Sequence, residues 1–152
     1  SDVYKRQAPD FELFNYDNTL IKSSKLNGKK YIIWFFPKAN TPGWTIQGCG
    51  FRDEFETFKK NNIIILGCSA DTQKKQQNFC EKQNFPFSIL SDESHQMMEN
   101  YGVWGLKKFM GREYMGIMRV TYIISESGVI EKVYDKVSTK THAKDIIKDL
   151  EL

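Results

Sequence analysis

The chain has 152 residues and a mass of 17.8 kDa, a length that suits one domain with one hydrophobic core. Its 40% hydrophobic residues exclude intrinsic disorder, 10 glycines and 4 prolines exclude collagen-like and mucin-like chains, and no apolar run approaches the ~20 residues that a membrane-spanning helix needs. The net charge of +3 is small and the lysines are scattered among acids, which speaks against nucleic-acid binding.

The first residues of the chain are predicted not to belong to the native protein. Residues 1–7, Ser-Asp-Val-Tyr-Lys-Arg-Gln, back-translate without mismatch into the end of a transposon-type sequencing adapter. The hypothesis is that a reading frame ran through an adapter into a truncated coding sequence, which leaves residues 8–152 as a single domain. The native N-terminus is then missing, so organellar targeting stays open beside the expected cytoplasmic location. A full-length transcript beginning with the same segment would refute the hypothesis.

Apolar alternation, apolar runs and turn residues predict the elements of the domain. In chain order, the predicted strands are residues 11–14, 19–21, 31–36, 63–68, 85–90, 118–124 and 129–134. The predicted helices are residues 44–60, 95–101 and 142–150, together with a helix that has its N-cap among residues 69–72 and ends at Lys82. Residues 110–116 are predicted to form a hairpin or loop. This order predicts an α/β sandwich in which helices flank a mixed central sheet.

The cysteines and histidines carry little signal by themselves. Cys49, Cys68 and Cys80 are an odd number without paired spacing, which favours a reducing compartment over a disulfide-stapled secreted domain. His95 and His142 are isolated, and no Cys-x-x-Cys motif is present, so the sequence predicts no metal site.

Residues 36–45, Phe-Pro-Lys-Ala-Asn-Thr-Pro-Gly-Trp-Thr, combine the end of a buried strand with the start of a helix. Pro37 stops the strand, and Pro42-Gly43 is strong punctuation before the helix. In α/β sheets, ligands bind at this end of the strands, and the free N–H groups of a first helical turn favour an anion or a polarised oxygen. The sequence therefore predicts a binding site here.

Several motifs support this site and extend along the chain. In chain order, they are Ala8-Pro9-Asp10-Phe11, Pro37-Lys38-x-Asn40-Thr41-Pro42-Gly43-x-Thr45, Cys49-Gly50-Phe51-Arg52-Asp53, Leu90-Ser91-Asp92, Tyr101-Gly102-Val103-Trp104-Gly105 and Tyr114-Met115-Gly116-Ile117-x-Arg119. Together they resemble the peroxiredoxins, in the branch of the bacterioferritin comigratory protein, also called Q-type. The resemblance covers the chain from Ala8 onward, and it implies a thioredoxin-like fold with an N-terminal β-hairpin.

The resemblance implies a thiol-dependent peroxidase that reduces hydrogen peroxide and organic hydroperoxides, with thioredoxin or a glutaredoxin-type reductant as partner and with no cofactor or metal. In the family a peroxidatic cysteine follows the Pro-Gly pair. Thr41 and Arg119 match the residues that hold the peroxide oxygens and stabilise the leaving oxygen, and Pro37 shields the pocket. Cys49 matches the resolving cysteine. No nucleic-acid or membrane partner is expected, and the chain is expected to be a monomer or weak dimer.

The chain departs from the family at the nucleophile position, which is Trp44. An indole has no ionisable thiol, so the form as written is expected to be inactive. Three explanations stay open. The first is a misread codon, because the tryptophan codon is one base from the cysteine codons and from UGA, which can encode selenocysteine. The second is a deliberate substitution that inactivates the enzyme. The third is that the chain is a natural redox-silent paralogue. The alternative function is therefore a catalytically silent peroxiredoxin-fold binding module.

Other residues that could carry chemistry are predicted to be structural. Cys68 and Cys80 are assigned to the core, and Arg52 and Asp53 to an ion pair. His95 and His142 are assigned to helix surfaces. Trp34, Trp104 and Tyr114 are expected to pack the core and the pocket wall.

Overall fold

A computed structural model describes residues 6–37 and 42–152, with only the backbone at residue 109. The strands are β1 (Glu12–Asn15), β2 (Leu20–Lys22), β3 (Lys30–Phe35), β4 (Ile63–Ser69), β5 (Ser88–Ser91), β6 (Trp104–Phe109), β7 (Arg112–Ile117), β8 (Thr121–Ile124) and β9 (Ile130–Tyr134). The helices are α1 (Pro42–Asp53), α2 (Phe55–Lys60), α3 (Gln73–Gln83), α4 (Gln96–Tyr101) and α5 (His142–Asp149), with a short 3₁₀ turn at Ser23–Leu26.

The central sheet has seven strands in the order β2-β1-β5-β4-β3-β8-β9. Strands β3, β4 and β5 run parallel, as expected where helices connect neighbouring strands. The hairpins β1–β2 and β8–β9 add antiparallel strands on either side of these three. The predicted α/β sandwich with a mixed sheet and an N-terminal hairpin is confirmed.

Both faces of the sheet are covered, as consecutive residues of β3 show. Ile33 and Phe35 belong to one hydrophobic core, and Ile32 and Trp34 belong to a second core on the other face. All four side chains are fully buried. Because side chains alternate along a strand, the continuous apolar run indeed marks a strand with protein on both faces.

The predicted helix 44–60 is wrong in one respect, because the segment forms two helices. Glu54 separates α1 from α2, and its φ of −100° and ψ of 7° lie outside helical values. Phe51 in α1 and Phe58 in α2 are nevertheless both fully buried, with ring centroids 6.1 Å apart. Both rings stay on the buried side of their helices, so the spacing of the apolar residues in the sequence gives no sign of the break.

The hairpin around residue 110 is longer than predicted. Strands β6 and β7 pair from Trp104–Ile117 to Phe109–Arg112 as a separate two-stranded sheet. Met110 and Gly111 form the turn with φ of 51° and 78°. Two consecutive positive φ values are typical of a type I′ turn, in which glycine, asparagine and aspartate are favoured over a residue such as methionine.

The segment before β1 lies along the outer edge of β9. Ala8 N–H donates to the Gly128 carbonyl over 2.8 Å, and Ile130 N–H donates to the Arg6 carbonyl over 2.8 Å. Gln7 forms an antiparallel bridge with Val129 between these two hydrogen bonds. This segment therefore adds a short stretch of β pairing to the edge of the sheet.

Gly67 in β4 is a position where a side chain does not fit, and we expect Gly67→Ala to destabilise the fold. A Cβ atom at Gly67 would lie 2.5 Å from Ile89 Cδ1 and 3.0 Å from Trp34 Cε2. Because both neighbours are fully buried, we expect the free energy of unfolding to fall by about 1–3 kcal/mol, measured by urea denaturation.

Gly50→Ala in α1 is the matched control for this prediction. A Cβ atom at Gly50 would make only an ordinary contact, 3.8 Å from Ala143 Cβ. Alanine has the higher helix propensity, so this variant should be more stable than the parent by roughly 0.5–1 kcal/mol. A Gly67→Ala protein as stable as the parent would contradict the packing described here.

Candidate active site

The first turn of α1 lies beyond the carboxyl end of β3. Pro42 is the first residue of α1, where proline's fixed φ and missing N–H are favourable. The N–H groups of a first turn have no partner within their own helix, and the aligned peptide dipoles add a partial positive charge. This end of the helix can therefore stabilise a thiolate or a polarised oxygen.

Trp44 is the third residue of α1, and its side chain has no exposed surface. The indole centroid lies 4.7 Å from the ring of Phe79 and 5.4 Å from that of Phe85, on and after α3. It lies 5.0 Å from the ring of Phe36 and 6.3 Å from that of Trp34, both from the β3 segment. The indole therefore fills the space between the start of α1, the sheet and α3.

The indole N–H of Trp44 is buried and has no hydrogen-bond partner among the described residues. A buried tryptophan usually pairs this group, and leaving such a donor unpaired costs about 1–3 kcal/mol. The aromatic surroundings satisfy the rings of Trp44 but not its polar atom. The indole N–H of Trp34 is unpaired as well, so this feature is shared by both tryptophans of the aromatic core.

Arg119 lies two residues before β8 and reaches the first turn of α1. Its Nη2 atom is 3.0 Å from the point where a Cβ atom of Gly43 would be, so the close approach depends on the glycine. Burial lowers the pKa of Arg119 below its ordinary value, yet arginine stays protonated in proteins. A guanidinium cation therefore lies beside the residue that precedes Trp44.

Gln47 holds Arg119 in this position and was missed by the sequence analysis. The Gln47 side chain is almost fully buried, and its Oε1 atom accepts a hydrogen bond from Arg119 Nη1. Gln47 lies one helical turn after Trp44, on the same face of α1. The sequence signal for this role was its position three residues after Trp44, which places it on the buried face of the helix. A polar side chain on a buried face needs a polar partner.

Of the two other predicted site residues, the structure describes Pro37 but not Thr41. Pro37 lies two residues after the end of β3 and is half-buried. Thr41, together with Lys38 and Asn40 of the same motif, lies outside the described residues.

Cys49 lies on α1, five residues after Trp44, and is half-buried. Its Sγ atom donates a hydrogen bond to Gln83 Oε1 at 3.7 Å. In a regular helix, residues five apart are separated by ~7.5 Å along the axis and point in different directions. Position 44 and Cys49 therefore cannot form a disulfide while α1 is intact, because a disulfide needs Cα atoms within about 7 Å and facing Cβ atoms.

The predictions for the other two cysteines and for the ion pair are confirmed. Cys68 and Cys80 are both buried, and burial raises the pKa of Cys80 to about 12 and that of Cys68 well above its ordinary value. Arg52 Nε and Asp53 Oδ1 are 3.3 Å apart, and Arg52 Nη1 also donates to the Gln83 carbonyl.

The prediction that His142 is a surface residue is wrong. His142 is only 2% exposed, its Nε2 atom is 2.9 Å from Thr121 Oγ1, and its ring lies edge-on to Phe51. The pKa of His142 is lowered from 6.5 to about 4; burial is the main cause, Asp145 opposes the shift, and Arg119 adds to it. The imidazole is therefore neutral near pH 7, and its hydrogen bond is with Thr121.

The prediction for Tyr114 is also wrong, whereas Trp34 does belong to the core. Tyr114 lies on β7 and is exposed, because the hairpin stands away from the central sheet. Trp104, at the start of β6, is half-buried and stacks on His95 with centroids 4.0 Å apart.

No second site of evident chemistry was found among the described residues. A cleft of about 760 Å³ lies at the amino ends of β3 and β4, the opposite end of the sheet from α1's first turn, with Lys29, Phe55 and Asn62 in its wall. No group of three or more His, Cys, Asp or Glu side chains in residues 6–37 and 42–152 could hold a metal ion. In the same residues, no helix is long and apolar enough to cross a membrane.

Comparison with known proteins identifies the family. The AhpC/TSA family profile matches residues 4–133. Peroxiredoxin Bcp of Escherichia coli is 42% identical over 135 residues, which cover 89% of this chain and 86% of that protein. Peroxiredoxin Bcp of Bacillus subtilis is 41% identical over 145 residues, covering 95% and 92%.

A solved structure shows the same fold. A cysteine-to-serine mutant of Xanthomonas campestris Peroxiredoxin Q superposes with a TM-score of 0.88 at 31% identity, covering 93% of this chain and 89% of that one. The chain belongs to the Bcp and Q-type peroxiredoxins of the AhpC/TSA family. By family it is an antioxidant peroxidase with a thioredoxin-like fold, as the sequence motifs predicted.

Proposed function

We propose that this fold is built to reduce hydrogen peroxide and organic hydroperoxides with thioredoxin or glutaredoxin-type reductants, and that the form with Trp44 is silent. Position 44 is the nucleophile position. Arg119 and Thr41 hold the peroxide, Pro37 shields the pocket, and Cys49 is the resolving thiol. The observation that carries the proposal is the close approach of Arg119 to Gly43 at the start of α1.

The surroundings of position 44 are those that a reactive thiol needs. A helix N-terminus and an adjacent cation both lower a thiol's pKa from about 8.5, and the thiolate is the nucleophile. The Arg119 guanidinium is half-buried and fixed by Gln47, so its hydrogen bonds act in a partly desolvated setting. It can stabilise the charge that develops on the leaving oxygen.

A thiolate at position 44 would attack one peroxide oxygen, and the O–O bond would break. The products are a sulfenic acid and a hydroxide or alkoxide, which takes up a proton to leave as water or alcohol. The Cys49 thiol would then attack the sulfenic sulfur, form the disulfide and release water. The first turns of α1 must unwind for this second step, because the intact helix keeps the two sulfurs apart.

Cys80 is a second candidate for the resolving thiol. Two solved forms of Xanthomonas campestris Peroxiredoxin Q are serine mutants of cysteines that are separated by as many positions as Trp44 and Cys80. Cys80 is buried in the same core as Trp44, next to Phe79. It therefore needs movement of α3 as well as α1 to become reactive.

The alternative function, a silent peroxiredoxin-fold binding module, is favoured by the packing of Trp44 in the aromatic core. The position of Arg119 beside Gly43 favours the peroxidase instead, because a cation next to position 44 stabilises a thiolate and has no such role for an indole. The genomic codon for residue 44 distinguishes the three explanations for Trp44, which are a misread codon, a deliberate substitution and a natural paralogue. A cysteine codon or UGA supports the peroxidase, and UGG confirmed in independent reads supports the silent module.

The protein with Trp44 should show peroxide turnover near background. Arg119 and the helix N-terminus stabilise a transition state, but no thiol at position 44 forms the covalent intermediate. A thioredoxin-coupled assay that follows consumption of the reductant measures this. Turnover at a rate comparable to E. coli Peroxiredoxin Bcp would contradict the proposal and assign the chemistry to Cys49 or another group.

We place the domain at residues 8–152, with residues 1–7 adapter-derived, and we expect a monomer or weak dimer in the cytoplasm. The small net charge of +3 supports the absence of a nucleic-acid partner.

A further inference from the structure

The methionines of this chain are divided between the core and one exposed hairpin. Met110, Met115 and Met118 lie on or directly after the β6–β7 hairpin and are 88%, 52% and 38% exposed. Met97 and Met98 in α4 are 2% and 0% exposed. These are all 5 methionines of the chain. The thioether sulfurs that can react with a solute are therefore concentrated on the hairpin.

The position of Met110 is difficult to explain by stability. It occupies a turn position with φ 51°, where a side chain with a Cβ atom is strained. Its thioether is almost completely exposed, so it gains little from burial. A strained and exposed apolar residue at a hairpin tip points to a role in surface chemistry.

We propose that the β6–β7 hairpin is a methionine oxidation site for hydroperoxides. A thioether lone pair attacks the hydroxyl oxygen of the hydroperoxide; the S–O bond forms as the O–O bond breaks. The transferred oxygen loses its proton to solvent, and the leaving oxygen takes one up to become water or an alcohol. Sulfur loses two electrons and the peroxide gains them, so no other reductant takes part.

Access determines the order of reaction, because a thioether has no proton to lose and every methionine has the same intrinsic reactivity. Met110 should react first, then Met115. Met118 should follow, because its methyl group covers Gly105, where a Cβ atom would lie only 2.8 Å from it. Met97 and Met98 are shielded by the core.

Oxidation would change the character of the hairpin surface. Leu106 pairs directly with Met115 and is also exposed, so the two form an apolar patch on one face. A sulfoxide is strongly polar, so oxidation of Met115 would make this patch polar, and oxidation of Met110 would do the same at the tip of the hairpin. The hairpin therefore changes its affinity for apolar surfaces in response to peroxide, independently of position 44.

Peptide mapping of the Trp44 protein during treatment with excess hydrogen peroxide tests the site. We expect gain of one oxygen in the order Met110, Met115, Met118, with Met97 and Met98 at least about tenfold slower. The same protein unfolded in urea should oxidise all of these positions at similar rates. Oxidation of Met97 or Met98 in the folded protein as fast as Met110 would overturn the proposal.

Hydrophobic-interaction chromatography tests the change of surface. The oxidised protein should elute earlier than the untreated one, and treatment with methionine sulfoxide reductases of both epimer specificities should restore its retention. In a Cys49→Ser background, which removes the half-buried thiol, a variant with leucine at positions 110, 115 and 118 should keep its retention after peroxide treatment. A variant with glutamine at the same positions should elute early without peroxide. A leucine variant that shifts as the parent does, or a parent that does not shift, would refute the switch.

Discussion

We expect Trp44→Cys to consume hydrogen peroxide faster than the parent protein by on the order of 10³-fold or more, because covalent catalysis depends on the nucleophile. The cation and the helix N-terminus that such a thiol needs are already in place, since Arg119 lies against Gly43 and is held by Gln47. Consumption of peroxide under excess reductant measures the gain. Unchanged turnover in a folded variant would show that position 44 is not the nucleophile position.

Trp44→Ser is the matched control, because serine is similar in size to cysteine but provides no thiol. Both variants lose an indole that is fully buried among aromatic rings, and both should therefore lose about 3 kcal/mol of stability. Only the cysteine variant should gain activity. This comparison separates the chemistry of the thiol from any effect of emptying the pocket.

The cysteine variant also assigns the resolving thiol. One equivalent of peroxide should form an intramolecular disulfide, seen as the loss of two hydrogens by mass spectrometry. Cys49→Ser in this background should abolish the disulfide and leave a sulfenic acid that overoxidises readily or reacts with an external thiol. If Cys80→Ser abolishes the disulfide instead, the resolving role belongs to α3.

Acidification from about pH 6.5 to pH 4 should destabilise the protein by about 3 kcal/mol through His142 alone. The pKa of His142 is lowered from 6.5 to about 4, chiefly by burial. Between these values the unfolded chain binds a proton that the folded chain does not, so the contribution is complete above pH 6.5 and is lost as pH falls. Urea denaturation at several pH values measures it.

His142→Gln should flatten this pH dependence, because glutamine can still hydrogen-bond with Thr121 but does not titrate. His95→Gln, which replaces the other histidine of the sequence, is the matched control for the loss of an imidazole. Asp145 and Arg119 act on His142 in opposite directions, so each is kept unchanged in both variants. Equal acid sensitivity of the two variants would assign the effect to carboxylates elsewhere.

The central architecture could be predicted because its signals are local. Tyr31–Phe36 reads as a doubly covered strand, and the pairs of strands around turn residues read as hairpins. The break at Glu54 could not be predicted, because both flanking phenylalanines remain on the buried face. The length of the β6–β7 hairpin was hidden as well, since its strands expose both faces and lack clean alternation.

The site was accessible from sequence only where a motif marked it. Arg119 and the Pro-Gly pair lie far apart along the chain, and the resemblance to a family, rather than periodicity, predicted that they meet. Gln47 and His142 were missed for the same physical reason. Each is a polar residue whose burial depends on a partner from another element, Arg119 for the first and Thr121 for the second.

The pairing of residues 6–8 with the edge of β9 uses main-chain groups alone. An open sheet edge is a template for strands from other molecules, and covering it guards against aggregation. Because every residue except proline offers the same N–H and carbonyl groups, this protection depends on an extended chain being present, not on which amino acids form it. Any extended segment in front of Ala8 therefore offers residues 128–130 the same hydrogen-bonding groups.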